Sequence, residues 1–280
     1  MESLVSTEWL AGELGAADLK VVDATLFLPG SGREARAEYE TEHIPGAVFL
    51  DLDAVADPAG ALPHGWPPAH VFASRVRALG VGDGDRIVIY DNSPLHSAAR
   101  GWWMLRSFGA KKVAILDGGL ARWKAEGRAV ERGTPSVRPG HFTPEEADGA
   151  IVDKAFVGGL IGSSEVEIVD ARPGPRFRGE EAEPRPGVET GHIPGSKSLP
   201  QSELFEADGR WKRGDALRAA FAHAGVDLDK PMVTTCGSGI TACVLLFGAH
   251  LLGKEESRLY DGSWSEWGAD RDAPKATGPA

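Results

Sequence analysis

Cysteine is scarce in this sequence, which has only two among 280 residues, Cys236 and Cys243. Two thiols exclude a disulfide framework and a four-thiolate zinc site. They fit a reducing compartment, where a single cysteine can serve as a nucleophile. We therefore expect a cytoplasmic protein.

Positive charge and long apolar runs are also scarce. Lys and Arg number 30 against 41 Asp and Glu, and the formal net charge of -11 argues against a nucleic-acid or anionic-membrane partner. The most apolar stretch, ACVLLFGAHLL, is about half as long as the roughly 20 residues that cross a bilayer. The N-terminus MESLVSTEWL lacks the basic and apolar regions of a secretory signal. These absences predict a soluble protein.

Motifs for metals and nucleotides are missing as well. The eight histidines include no pair at ligand spacing with a third ligand nearby. No G-x-G-x-x-G fingerprint opens a predicted helix, and there is no Walker loop. We expect neither a metal ion nor an organic cofactor.

What the sequence does contain is an internal repeat. KVVDATLFLPG is echoed by EIVDARPGPRF, TEHIPGAVFL by TGHIPGSKSL, RIVIYD by PMVTTC, and LDGGLARW by YDGSWSEW, in one order and at nearly constant spacing. Ordered matches of this kind predict two copies of one domain. We place them at residues 1–128 and 148–275, joined by a linker at 129–147 that is rich in Gly, Pro and charge.

Short β-branched runs alternate with helical patterns in both copies. The predicted strands are Val21–Asp23, Arg86–Tyr90, Val113–Leu116, Glu167–Asp170, Met232–Thr235 and Arg258–Tyr260. This alternation predicts α/β domains, each a mainly parallel sheet flanked by helices. Ligands of such sheets collect at the carboxyl ends of strands, which is where Cys236 lies.

Cys236 opens the loop Cys-Gly-Ser-Gly-Ile-Thr between a predicted strand and a predicted helix. Its two glycines allow several N–H groups to converge on an anion, and the helix adds the positive end of its dipole. A cysteine held there is stabilised as a thiolate. The alternative is an inert buried thiol, which is our interpretation of Cys243. Cysteine phosphatases need an arginine six residues after the cysteine, where this chain has Ala242, so phosphatase chemistry is disfavoured.

The repeated HIPG, the DGSWSEW ending and the CGSGIT loop resemble the tandem rhodanese-domain sulfurtransferases. The resemblance implies two rhodanese-like domains with the catalytic cysteine only in the second, and the first copy indeed has Asp91 at the equivalent strand end. It implies that Cys236 carries a persulfide and that the rest of the loop binds substrate, namely Gly237, Gly239, Ile240 and Thr241.

The composition of the loop bears on the sulfur donor. Family members that use 3-mercaptopyruvate have Cys-Gly-Ser-Gly-Val-Thr, from which this chain departs only at Ile240. Members that use thiosulfate have basic residues in the loop, and a loop without cations attracts a double charge less strongly. We therefore favour 3-mercaptopyruvate as donor, with pyruvate as product and a thiol such as thioredoxin, or cyanide, as acceptor. A thiosulfate sulfurtransferase and a non-catalytic persulfide carrier are the alternatives.

By resemblance, Arg176 and Arg185 grip the carboxylate and keto oxygen of the donor, since a guanidinium fork suits a planar 2-oxo acid. The alternative is a set of surface arginines paired with the glutamates of the same segment, Glu180, Glu181 and Glu183. Arg172 and Arg178 are expected to be structural.

The resemblance further assigns a relay to His64, Asp53 and Ser238, in which Asp53 fixes the imidazole tautomer and His64 polarises the serine. Asp51 is an alternative partner for His64, and a solvated loop histidine is an alternative for His64 itself. His43 and His192 are expected to satisfy backbone groups at a turn. Trp211, in DGRWKRG, is expected at the surface.

Overall fold

The computed structural model describes residues 1–279, and these form two compact units. The first unit comprises residues 1–58, 66–147 and 208–210, and the second comprises 59–65, 148–207 and the residues from 211 onward. Residues 129–147, the expected linker, run along the first unit, where the N–H groups of Glu145 and Ala147 donate to the carbonyls of Phe108 and Ser107. The short segment 59–65 belongs to the second unit although it lies early in the chain.

The first unit contains a five-stranded sheet in the order β1-β5-β4-β2-β3, with every pair parallel. Its strands are β1 Leu4–Val5, β2 Leu19–Asp23, β3 Val48–Phe49, β4 Arg86–Tyr90 and β5 Val113–Leu116. Its helices are α1 Thr7–Glu13, α2 Ala35–Thr41, α3 Ala69–Ala78, α4 Ala98–Ser107 and α5 Gly119–Ala125.

The second unit repeats this arrangement in a sheet of order β6-β10-β9-β7-β8, again with parallel pairs. Its strands are β6 Ile151–Val152, β7 Glu167–Asp170, β8 Lys197–Ser198, β9 Met232–Thr235 and β10 Ser257–Tyr260. Its helices are α6 Lys154–Gly159, α7 Gly174–Arg178, α8 Gly214–His223, α9 Ala242–Leu251 and α10 Ser263–Trp267, with a 3₁₀ turn at Gln201–Leu204. The predicted fold class, two α/β domains with parallel sheets, is confirmed.

The inner strands are largely buried on both faces, which explains why they are rich in apolar and β-branched residues without an alternating pattern. All four residues of β5 and of β9 are buried. Helix α9 is apolar around its whole circumference, and its residues 242–249 are all buried. The helix that follows the cysteine loop is therefore fixed within the core of its unit.

The two units match one another residue by residue at the carboxyl edges of their sheets. Asp23 ends β2 opposite Tyr90 of β4, and Asp170 ends β7 opposite Thr235 of β9. His43 Nδ1 lies 2.7 Å from the Tyr39 carbonyl oxygen, and the imidazole stacks on the Tyr39 ring. His192 and Phe177 repeat this contact at 2.9 Å, so both histidines have the expected structural role.

Trp211 corrects one expectation, because it is 5% exposed rather than at the surface. Its ring packs against Phe205 and Phe247, with centroids 4.5 and 4.7 Å away. Its neighbours in the sequence are polar, but Trp211 forms an isolated antiparallel β-bridge with Phe205, and this bridge places the indole against α9. Within residues 1–279, the helices are too short or too polar to cross a membrane.

Candidate active site

Cys236 follows directly after β9 and is 2% exposed. The residues that follow it, 237–241, form the loop that leads into α9. Gly239 in this loop has a φ of +76°, a conformation that residues with a Cβ adopt only with strain, so glycine is favoured there. The thiol therefore lies at the carboxyl edge of the second sheet, in a loop that is fixed at one end by β9 and at the other by α9.

Ser263, the first residue of α10, anchors this loop through its side chain. Its Oγ accepts hydrogen bonds from the backbone N–H groups of Cys236 and Gly239, both at 3.1 Å, and donates to the Tyr260 carbonyl at 2.9 Å. Ser263 is fully buried and has a φ of +50°, so the backbone is strained to place this hydroxyl under the loop. In the sequence this serine stands out only as part of the DGSWSEW motif, and its role depends on the folded loop.

The loop carbonyls are held by α10 as well. The N–H of Trp264 donates to the Cys236 carbonyl, and the N–H of Ser265 donates to the Gly237 carbonyl, both at 2.9 Å. With Cys236 and Gly239 bonded to Ser263, the loop N–H groups that have no acceptor within residues 1–279 include those of Ser238, Ile240 and Thr241. These are the donors that the loop can offer to an anion such as a persulfide.

Arg185 reaches the loop through Ser265. Its Nη1 donates to Ser265 Oγ at 3.2 Å, and the Ser265 hydroxyl donates in turn to the Gly237 carbonyl. Burial lowers the pKa of Arg185, and the nearby Cys236 opposes this effect while Arg176 adds to it. In the described chain Arg185 forms no ion pair with a carboxylate. A partly buried guanidinium without a counter-ion is suited to bind an anionic ligand.

Arg176 lies against the other side of the loop. A Cβ on Gly237 would meet Arg176 Nη2 at 3.4 Å, so the lack of a side chain at Gly237 leaves room for the guanidinium. Arg176 is paired with Glu183, whose side chain is 4% exposed, and Glu183 also binds Arg172 at 2.7 Å. The alternative expectation for Arg176 was a surface ion pair with a glutamate. The ion pair is present, but it lies buried beside the loop.

The two arginines expected to be structural have ion-pair partners. Arg172 is 1% exposed and binds Asp170 at 2.7 Å. Arg178 pairs with Glu180 at 2.7 Å on the exposed side of α7. Neither guanidinium is therefore left without a counter-ion.

His64 contacts the cysteine loop directly. Its Nδ1 lies 2.9 Å from Ser238 Oγ, and both residues belong to the second unit. With Nδ1 unprotonated, the serine hydroxyl donates to it. His64 has a φ of +57°, a strained conformation for a residue other than glycine. The expected contact between His64 and the loop serine is thus present in the structure.

The carboxylate partner of His64 stays a prediction. Asp53 belongs to the first unit. Asp51, the alternative, accepts a hydrogen bond from Ala54 N at 3.0 Å and lies 3.4 Å from Arg36. These contacts occupy the Asp51 carboxylate within the first unit.

The first unit has a carboxylate where the second has a thiol. Asp91 follows β4, and its two oxygens accept hydrogen bonds from Ser93 N at 3.0 Å and from Ala98 N, in the first turn of α4, at 2.7 Å. Burial raises the pKa of Asp91 to about 6. The chain's own carboxylate thus takes the N–H groups that an external anion would use, and no nucleophilic sulfur is present at this position.

Within the described residues no group of three or more His, Cys, Asp or Glu side chains could hold a metal ion. The site combines a buried thiol, a loop with N–H donors, a hydroxyl–imidazole pair and two guanidinium groups. Such a set can bind a small anion through its carboxylate while the sulfur acts as nucleophile.

The chain is similar to known proteins over most of its length. The model of the rhodanese-like domain family matches residues 6–126 and 155–270. The chain is 42% identical over 273 residues to the 3-mercaptopyruvate sulfurtransferase of Escherichia coli K12, covering 96% of both chains. It is 41% identical over 271 residues to the human 3-mercaptopyruvate sulfurtransferase, covering 95% of this chain and 91% of the relative. The crystal structure of SseA from Escherichia coli matches with a TM-score of 0.86 at 39% identity, covering 95% of this chain and all of SseA. The chain belongs to the rhodanese family and carries two tandem copies of its domain.

Proposed function

We propose that this protein is a sulfurtransferase that takes sulfur from 3-mercaptopyruvate and passes it on through a persulfide on Cys236. The observation that carries the proposal is Arg185, a guanidinium without a carboxylate partner that is hydrogen-bonded through Ser265 to the cysteine loop. A donor that carries a carboxylate a few bonds from its sulfur can be held by this cation while its sulfur meets the thiol. Relatives at 42% and 41% identity are named for the same activity.

The first half of the reaction loads the cysteine. The Cys236 thiolate attacks the sulfur of 3-mercaptopyruvate, a sulfur–sulfur bond forms, and the carbon–sulfur bond breaks. Its electron pair leaves with the carbon as the enolate of pyruvate, which takes up one proton to give pyruvate. The loop N–H groups of Ser238, Ile240 and Thr241 are placed to bind the outer sulfur of the persulfide.

The second half transfers the sulfur. An acceptor thiolate attacks the outer sulfur, so that the acceptor becomes a persulfide and Cys236 returns as a thiolate. Cyanide in the same role becomes thiocyanate. Covalent splitting of this kind predicts double-displacement kinetics. We propose thioredoxin as the thiol acceptor and a cytoplasmic location, where Cys236 and Cys243, both free thiols, stay reduced.

The remaining groups position the donor and move its proton. Arg176 and Arg185 are proposed to hold the carboxylate and keto oxygen. The Ser238 hydroxyl, 2.9 Å from His64, can pass its own proton to the imidazole as it takes up that of the donor thiol, and the pair can then return one proton to the enolate. Asp53 is proposed to fix the imidazole tautomer. No group in this scheme requires a cofactor.

Thiosulfate is the second candidate donor on the same fold. The loop residues 237–241 carry no charged side chain, so thiosulfate would meet only the arginines outside the loop. A non-catalytic persulfide carrier would need neither arginine, and the unpaired Arg185 therefore disfavours it.

Steady-state kinetics test the proposal. We expect kcat/KM for 3-mercaptopyruvate to exceed that for thiosulfate by about a hundredfold or more, the equivalent of about 3 kcal/mol, with pyruvate and thiocyanate measured in the presence of cyanide. Cys236→Ser should abolish both products, whereas Cys243→Ser, which removes the buried thiol inside α9, should retain them. A preference for thiosulfate would overturn the donor, and turnover by Cys236→Ser would overturn the nucleophile.

A further inference from the structure

The two units differ just beyond the aspartate that ends β2 in the first unit and β7, its equivalent, in the second. In the second unit Arg172 lies two residues after Asp170, and its guanidinium binds the Asp170 carboxylate at 2.7 Å and the Gly191 carbonyl at 2.7 Å. Its Cζ lies 4.4 Å from the centroid of the Trp264 ring. A guanidinium thus fills this place, held by the carboxylates of Asp170 and Glu183, a carbonyl and an aromatic face.

The first unit lacks that guanidinium. The counterpart of Arg172 is Thr25, whose N–H donates to Asp23 at 2.8 Å as Arg172 N donates to Asp170 at 2.9 Å. The counterpart of Trp264 is Leu120, whose N–H donates to the Asp91 carbonyl as Trp264 N donates to that of Cys236.

In place of the two large side chains there is a cavity of about 550 Å³. Its lining includes Asp23, Thr25 and Leu120, together with Glu42, which precedes His43 as Gly191 precedes His192. Three residues that correspond to the surroundings of the Arg172 guanidinium, and Thr25, which corresponds to Arg172 itself, therefore line an open space of the size that holds small molecules.

Asp23 is the buried carboxylate among the residues that line the cavity. It is 2% exposed, and its hydrogen-bond donors are Thr25 and Tyr90, which carry no charge. Within residues 1–279 it has no arginine or lysine partner, unlike Asp170. Burial raises the pKa of Asp23 to about 6, as expected for a carboxylate without a cation.

The charges around the opening do not supply that cation. Arg33 is paired with Glu38 at 2.5 Å, and Lys124 is paired with Glu42. Glu34 also lines the cavity, so the lining carries an excess of negative charge. An incoming cation would be attracted to it.

We propose that this cavity of the first unit, lined by Asp23, Thr25, Glu42 and Leu120, binds a small molecule that bears a guanidinium group. The guanidinium takes the place that Arg172 occupies in the second unit and forms a forked ion pair with Asp23. The site is separate from sulfur transfer, since none of these residues belongs to the cysteine loop or to the proposed donor-binding groups.

Calorimetric titration of the full chain at pH 7.5 tests this inference. The probes are agmatine and L-arginine, with L-citrulline as the neutral isostere of arginine and a short arginine-containing peptide as the probe for a partner chain. We expect saturable binding of agmatine or L-arginine and at least tenfold weaker binding of L-citrulline.

Two variants locate the binding. Asp23→Asn removes the charge and should weaken agmatine binding at least tenfold. Thr25→Arg supplies the second unit's own guanidinium and should abolish it. Glu146 is an exposed carboxylate outside the cavity, so Glu146→Gln is the matched control and should bind agmatine as the unaltered chain does. Circular dichroism and sulfur transfer, which should be retained, verify folding.

The inference would be overturned by no saturable binding of agmatine or L-arginine at 10 mM or below, by equal binding of L-citrulline, or by unchanged binding in a folded Thr25→Arg variant. Binding of the peptide alone would overturn it too, since the guanidinium would then belong to a partner chain. Because sulfur transfer is measured separately, failure here leaves the proposed function unaffected.

Discussion

Ser263 Oγ accepts a hydrogen bond from the backbone N–H of Cys236 at 3.1 Å, so the residue that opens α10 fixes the residue that carries the nucleophile. The same oxygen accepts from Gly239 N, and the φ of Ser263 is +50°. A serine in a conformation that favours glycine is thus kept where its hydroxyl supports the loop.

This arrangement predicts different outcomes for two substitutions at one position. Ser263→Ala leaves the N–H groups of Cys236 and Gly239 without their acceptor and keeps the strained Cβ, so the free energy of unfolding should fall by about 1–3 kcal/mol. Ser263→Gly loses the same acceptor but relieves the strain, and should be more stable than Ser263→Ala by up to about 1 kcal/mol. Urea unfolding measures both, and kcat should fall about tenfold in both because the loop loses its support. Full activity in Ser263→Ala would contradict the role of the hydroxyl.

Arg185 should act on the binding of the donor. Arg185→Lys keeps the charge but loses the planar fork, and we expect KM for 3-mercaptopyruvate to rise about tenfold. Arg185→Gln should raise it further. In both variants the rate at which iodoacetamide alkylates Cys236 should stay within a few-fold of that of the unaltered chain, because this reagent is neutral. Arg178→Gln is the matched control, because Arg178 pairs with Glu180 on the exposed side of α7. An equal effect of Arg178→Gln would show that the loss is structural.

Ser265 is expected to act through Arg185. It accepts from Arg185 Nη1 and donates to the Gly237 carbonyl, so Ser265→Ala releases the guanidinium from the loop. We predict a several-fold rise in KM for 3-mercaptopyruvate with little change in kcat. In the Arg185→Gln background the same substitution should have little further effect, because the two residues form one hydrogen-bonded unit. Additive losses in the double variant would place the effect of Ser265 elsewhere.

His64 and Ser238 should behave as a pair. Their side chains are 2.9 Å apart, and each of His64→Asn and Ser238→Ala should lower kcat by about 10- to 100-fold if they move the donor's proton. The double variant should be no slower than the worse single variant, since residues that act as a unit are not additive. Pre-steady-state release of pyruvate isolates this step from acceptor turnover. If the losses in kcat of the two single variants multiplied in the double variant, the two residues would not share a proton path.

The sheet and the cysteine loop were predictable from the sequence because each is encoded locally. Strands such as Arg86–Tyr90 and Met232–Thr235 are short runs rich in β-branched residues, and two glycines mark the loop after the second of them. The contact between His64 and Ser238 depends on distant parts of the chain and was expected only from the family resemblance.

Features that depend on long-range packing could not be predicted in this way. The role of Ser263 requires a positive φ after β10 and the folding of α10 beneath the loop, and the sequence alone shows only a serine in a motif. Trp211 lies among charged residues in the sequence, yet its burial is decided by Phe205 and Phe247. The partition of the glutamates among Arg172, Arg176 and Arg178 is likewise set by the folded chain.

His96, in the loop that follows β4, should make stability depend on pH. Burial lowers its pKa to about 4 from an ordinary value of 6.5, so between these pH values the unfolded chain binds a proton that the folded chain does not. Its contribution to the free energy of unfolding is therefore complete above pH 6.5 and is lost as the pH falls toward 4, by about 2–3 kcal/mol at pH 4.5.

His96→Asn removes this titration, and asparagine tolerates the φ of +49° at this position. Urea unfolding of both chains at pH 7.5 and pH 4.5 should show the unaltered chain losing that amount relative to the variant. Asp23 and Asp91, whose raised pKa values act in the opposite sense, are present in both chains and cancel in the difference. A difference that is the same at both pH values would show that His96 does not titrate in this way.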